Sequence, residues 1–116
     1  MTGRLAMRSE FLDMVCEQLS ALGQVRARAM FGGHGLYVDE VFCAIIADEV
    51  LYFKVDAQSL PEFEGAGCAP FKPFADRPLV LQYYAAPAEV FEDGAAFVRW
   101  TRLALAAALR SKPRKK

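Results

Sequence analysis

The chain has 116 residues, 54% hydrophobic and 24% charged, so it is one globular domain large enough to bury a core without staples, and disordered or low-complexity classes are excluded. Its 14 basic and 14 acidic residues cancel to a formal charge of zero. A dedicated nucleic-acid module is usually basic, because neutralising phosphates supplies most of its affinity, and the overall balance argues against one.

Residues 1–8 read as a flexible, polar N-terminus, too short for a signal peptide. A first helix is expected over 9–22. At about 100° per residue, Phe11, Leu12, Val15, Leu19 and Leu22 share one side, with Asp13, Glu17 and Ser20 opposite. Ser9 is its expected N-cap and Gly23 its left-handed stop. Residues 24–30 then alternate as a half-buried strand, with Val25, Ala27 and Ala29 on one face and Arg26, Arg28 and Met30 on the other. Phe31-Gly-Gly breaks that pattern.

Further strands are expected over 36–38, 41–47 and 50–55. Their connectors, Asp39-Glu40 and Asp48-Glu49, are short enough to favour antiparallel hairpins, and the lack of Asn-Gly or Asp-Gly points to loops slightly longer than two residues. The run 41–47 is apolar at every position, so both its sides must be covered, one by helices and the other by more helix or by a second copy of the protein. Ser59-Leu-Pro-Glu62 has the form of a capping box, opening a short helix to about Ala66. A proline-rich loop over 67–78 leads to a fifth strand over 79–84 and a turn of helix after Pro87. Asp93 then caps a final helix from Gly94 to about Arg110, and Pro113 forbids its continuation. The expected fold is α+β, an antiparallel sheet of about five strands flanked by helices in the order α-β-β-β-β-α-β-α. The domain is expected over residues 9–110, with a basic tail over 111–116.

The chemistry-bearing residues are few. Phe31-Gly-Gly-His-Gly35 is followed by a strand, so it lacks the helix N-terminus that a phosphate-binding loop feeds, and the glycines read as a tight corner or a close backbone approach. His34 is the only histidine, with no orienting carboxylate or nucleophile beside it in sequence. Cys16, Cys43 and Cys68 are odd in number and lack metal-type spacing. Cys16 and Cys43 read as small buried hydrophobes in a reducing cytoplasm. No cofactor, metal or catalytic residue is expected, and no apolar run approaches the roughly 20 residues of a membrane span. Lys54, in an apolar strand, reads as a stem lying along the sheet with its ammonium in water. Arg99, Arg102 and Arg110 fall within about an 80° arc of the last helix, opposite Phe97 and Thr101, and run into Lys112, Arg114, Lys115 and Lys116. Trp100 is expected in the core, and Tyr83-Tyr84 place one ring on each side of the sheet.

The pattern Arg28-Ala-Met-Phe-Gly-Gly-His-Gly-Leu-Tyr37, then Ala47-Asp and Leu51-Tyr-Phe-Lys-Val-Asp56, resembles the N-terminal domain of the TfoX/Sxy competence regulators. Phe63-Glu-Gly-Ala-Gly67, Pro70-Phe71 and Leu81-Gln-Tyr-Tyr84 followed by Pro87 extend the resemblance over roughly residues 9–110. It implies a fold similar to the secretion-chaperone-like class and a part in regulating DNA-uptake genes alongside the cyclic-AMP receptor protein, without enzymatic activity. Full-length regulators of that family carry a second, helical C-terminal domain, which has no counterpart in this sequence, and Glu40 stands where family members often have glycine.

Three functional readings follow. The first is a cytoplasmic, non-enzymatic, dimeric interaction module that contacts a protein through an exposed sheet face or the glycine corner, with Met30, Phe31, Gly32, Gly33 and His34 as the candidate residues. The second is a nucleic-acid accessory protein using Arg99, Arg102, Arg110 and the tail from Lys112 to Lys116. The third is a small enzyme or ligand carrier with a pocket between sheet and helices.

Overall fold

The computed structural model describes residues 10–30, 33–71 and 82–111. Its elements are α1 (Glu10–Leu19), β1 (Val25–Met30), β2 (Gly33–Val38), β3 (Val41–Ala47), β4 (Val50–Lys54), α2 (Leu60–Gly65), β5 (Tyr83–Ala85), a 3-10 turn (Ala88–Phe91) and α3 (Gly94–Ser111). The strands form one antiparallel sheet in sequential order, β1-β2-β3-β4-β5. This is the expected α+β architecture.

One sheet face carries the helices. Leu36, Val38, Ala44, Ile46, Leu51, Phe53 and Val55 point into a core shared with Leu12, Val15 and Leu19 of α1 and with Phe97, Trp100 and Ala104 of α3. The alternation that places them follows from the strand period of two meeting the helical period of 3.6. Phe53 sits at the centre, with the rings of Phe63 and Phe97 at 6.4 and 6.3 Å, and Phe63 meets Trp100 edge-on at 4.9 Å. Cys43 is fully buried there, while Cys16 and Cys68 pack half-buried against the same cluster.

The second side of β3 is covered from within the chain. Ile45, Phe71 and Tyr83 form a separate buried cluster, with Phe42, Ala47 and Tyr52 packed against it. A β-bulge between Leu36 and Tyr37 brings Tyr37 opposite Phe42, where the two rings stack at 4.9 Å. The apolar run therefore has neighbours on both sides without calling on a second copy.

Several local expectations change. Both acidic connectors are two-residue turns, since Val38 pairs with Val41 and Ala47 with Val50. Asp39, Glu40, Asp48 and Glu49 have φ of 50°, 66°, 53° and 62°, the left-handed pair that such a turn demands to match strand twist. The backbone requirement prevails over side-chain preference. Gly23 is not left-handed; Gly67 is, with φ 77°, and it ends α2 with Cys68 N–H donating to Phe63 O and its own N–H to Glu64 O. Ser59 stands at the N-cap of α2 without a capping bond, because the Glu62 N–H is already bonded to the Ser59 carbonyl. Asp56 secures the turn instead, accepting at Oδ1 from Gln58 and Ser59 N–H, both at 3.1 Å. At α3 the expected cap is present, with Asp93 Oδ1 accepting from Ala95 N–H at 3.0 Å. Residues 1–9, 72–81 and 112–116 lie outside the described residues, and with them the Ser9 cap, most of the proline-rich loop, the start of the expected fifth strand and the stop at Pro113.

Candidate functional site

The glycine corner is partly strand. Gly33, His34 and Gly35 belong to β2, with Met30 paired to Gly33 and Ala29 to His34. Gly33 is a close-approach glycine: a methyl group there would run into the carbonyl oxygen of Ile46 on β3. His34 is half-buried and its imidazole has no hydrogen-bond partner among the described residues. Phe31 and Gly32 lie outside the described residues, as does the side chain of Met30.

The register brings a second feature to this same end of the sheet. His34 lies opposite Ile46, so the Asp48-Glu49 turn that follows Ala47 stands beside the glycine corner. Its side chains are exposed, and Val50 next to them is 37% exposed. The two acidic turns differ in how their left-handed backbone is compensated. Asp39 Oδ1 accepts from Gln24 N–H at 2.9 Å, and Glu40 forms a two-point ion pair with Arg26 at 2.8 and 3.2 Å. Among the described residues, Asp48 and Glu49 have no such partner. Sequence reasoning took this pair only as a hairpin connector; the signal was the two-residue gap between strands, which forces left-handed φ on whatever occupies it.

The arginine face of α3 is largely engaged within the chain. Arg99 binds Glu89 Oε2 at 3.0 Å, an oxygen that also accepts from the Trp100 indole N–H, and its guanidinium lies 5.1 Å from the Trp100 ring. Arg110 grips Asp56 with two hydrogen bonds, one of 2.9 Å, and holds its carboxyl well below the usual carboxylate range. Arg102 is exposed and has no ion-pair partner among the described residues. Lys112, Arg114, Lys115 and Lys116 lie outside the described residues.

At the opposite sheet end a shallow cleft of about 300 Å³ is lined by Glu40, Val41, Phe42, Lys54, Tyr83, Ala108 and Ser111. Lys54 Nζ donates to Gln82 Oε1 at 3.0 Å and sits 5.3 Å from the Tyr83 ring. Burial lowers the Lys54 pKa and pushes the Tyr83 hydroxyl up to about 12. Burial likewise pushes the Cys43 thiol up to about 12, which keeps it protonated and inert. Among the described residues no three His, Cys, Asp or Glu side chains converge to hold a metal. Nor is any described helix long and apolar enough to cross a membrane.

Two relatives carry recognisable sequence similarity. Protein Sxy of Escherichia coli (strain K12) is 28% identical over 102 residues, 83% of this chain and 46% of that protein. DNA transformation protein TfoX1 of Aliivibrio fischeri (strain ATCC 700601 / ES114) is 31% identical over 71 residues, 61% of this chain and 34% of that protein. The chain thus spans less than half the length of these relatives. The TfoX N-terminal domain model matches residues 17–108, from the last turn of α1 to near the end of α3, and the chain belongs to that family.

Proposed function

We propose that the chain is a non-enzymatic regulatory module that docks on a protein partner through the sheet end bearing the glycine corner and the Asp48-Glu49 turn. Family membership supports a regulatory setting connected with DNA uptake, since one relative is named a DNA transformation protein. The partner class implied by the resemblance is a transcription factor, the cyclic-AMP receptor protein being the first candidate.

The observation that carries this reading is the uncompensated acidic turn. A left-handed non-glycine residue costs about 1–2 kcal/mol, and strain that local bonds do not offset is concentrated at functional positions. Asp48 and Glu49 occupy such positions with exposed side chains, beside half-exposed Val50 and the corner from Met30 to His34. An acidic pair with an apolar neighbour suits a basic, partly apolar partner surface.

The test measures binding of purified cyclic-AMP receptor protein to this chain by calorimetry. Replacing Asp48 by Asn and Glu49 by Gly relieves the backbone and should raise the thermal midpoint by several degrees, a gain of about 1 kcal/mol. The same variant should bind at least tenfold more weakly. Phe31→Ala should also abolish binding while the far-UV spectrum stays native. No binding by the unmodified chain, or equal binding by the stabilised variant, refutes the reading.

A further inference from the structure

We infer that the outer edge of β1 accepts an extended acidic peptide segment as a sixth strand. β1 is the first strand of the sheet, and among the described residues no strand lies beyond it. Its hydrogen-bonding phase is fixed by Gln24, whose carbonyl accepts from Asp39 N–H at 2.7 Å. In an antiparallel ladder bonded and non-bonded pairs alternate. The pairs Arg26–Tyr37, Arg28–Gly35 and Met30–Gly33 therefore share the bonded phase, while Val25, Ala27 and Ala29 fall in the other. The N–H and C=O groups of those three residues point away from β2, to the side where no further strand lies among the described residues.

Two of the features that close an edge, proline and a bulge, are missing from the strand, which runs six residues. Its side chains define the kind of partner. On the face away from the helices, Arg26 is committed to Glu40 and lies 4.4 Å from the Tyr37 ring. Arg28 is exposed, faces Gly35 across the ladder, and has no ion-pair partner among the described residues. An added strand with carboxylates on that face would supply one. On the other face, Ala27 packs against the edge of the core and Ala29 is exposed, so small or β-branched side chains suit the added strand there.

A second copy of β1 fits poorly. Antiparallel self-pairing would set arginines against arginines on one face, and like charges directly opposite are destabilising. The edge therefore selects a heterologous acidic strand, a known mode of peptide recognition in which backbone bonds give affinity and alternate side chains give specificity. This inference rests on the chain being a protein-docking module but uses a different surface, and its test involves no transcription factor.

The probe is a capped octapeptide of alternating Glu and Val, titrated into isotopically labelled protein and followed by amide NMR and hydrogen exchange. The amides of Val25, Ala27 and Ala29 should shift and gain protection, and binding should weaken as salt is raised. An octapeptide of alternating Lys and Val should bind at least tenfold more weakly, and Arg28→Glu should reverse that preference. Ala27→Pro should abolish binding with the fold intact, because an edge position whose N–H faces outward tolerates proline. Peptide binding without protection at these amides, equal affinity for both peptides, or protection of the same amides by self-association alone overturns the inference.

Discussion

Gly33 and Thr101 show how much a single side chain decides here. Gly33 brings β2 so close to β3 that a methyl group meets the Ile46 carbonyl oxygen, a backbone atom that cannot swing aside. Gly33→Ala should therefore destabilise the protein by about 1–3 kcal/mol, the usual range for overpacking, and lower the urea midpoint accordingly. A variant as stable as the parent would mean the strands are not so close. Thr101 presents the opposite case. It is fully buried on α3, and its hydroxyl lacks a hydrogen-bond partner among the described residues. A buried polar group without a partner costs about 1–3 kcal/mol. Thr101→Val keeps the shape and removes the unmet hydroxyl, so it should stabilise by about 1 kcal/mol, read as a higher midpoint in thermal or urea unfolding. Helical spacing alone placed Thr101 with Phe97 on the inner side; its unmet hydroxyl depends on neighbours that no periodicity reveals.

At the scale of elements, the faces of strands and helices were legible while their ends were not. Val25, Ala27 and Ala29 alternate with arginines, and Leu12, Val15 and Leu19 recur at helical spacing, so periodicity alone assigns their sides. Turns depend instead on strand registry. The pairing of Ala47 with Val50 leaves two residues to reverse the chain, and Asp48-Glu49 must adopt left-handed backbone whatever its preference. The capping box failed for a related reason, since the Glu62 N–H is taken by the Ser59 carbonyl and Asp56 holds the turn that precedes α2. Asp56 also ties that turn to the end of α3 through Arg110, a contact across 54 positions of sequence that local reading does not reach. Hydrogen bonding to Arg110 lowers its pKa, so the contact stabilises fully above the unfolded carboxylate value of about 3.9. That contribution is lost as pH falls below it toward the lowered folded value. The urea midpoint should thus drop between pH 6 and pH 3, and Asp56→Asn should flatten the drop while lowering the midpoint at pH 6. An identical pH profile in the variant would show that other carboxylates carry the effect.

For the whole molecule, the governing feature is a sheet with apolar residues on both faces inside one 116-residue chain. The run Val41–Ala47 made that demand visible in the sequence, but not what meets it. Phe71 comes from beyond α2 and Tyr83 from β5, and together they close over Ile45, which is 3% exposed. Tyr37, Phe42 and Tyr83 extend the coverage as a row of rings, with centroids 4.9 and 5.8 Å apart. Such a second core is part of the fold's stability within a single copy. Ile45→Ala should then cost about 3 kcal/mol, the usual range for truncating a buried isoleucine. That loss should be the same at micromolar and at hundred-micromolar protein. If a second copy covered this face instead, the unfolding midpoint would rise with protein concentration, because association stabilises by mass action. Ile45→Ala would then weaken the concentration dependence as well as the midpoint. Thermal unfolding of both proteins across that concentration range separates the two arrangements, and a concentration-independent midpoint is the expected result.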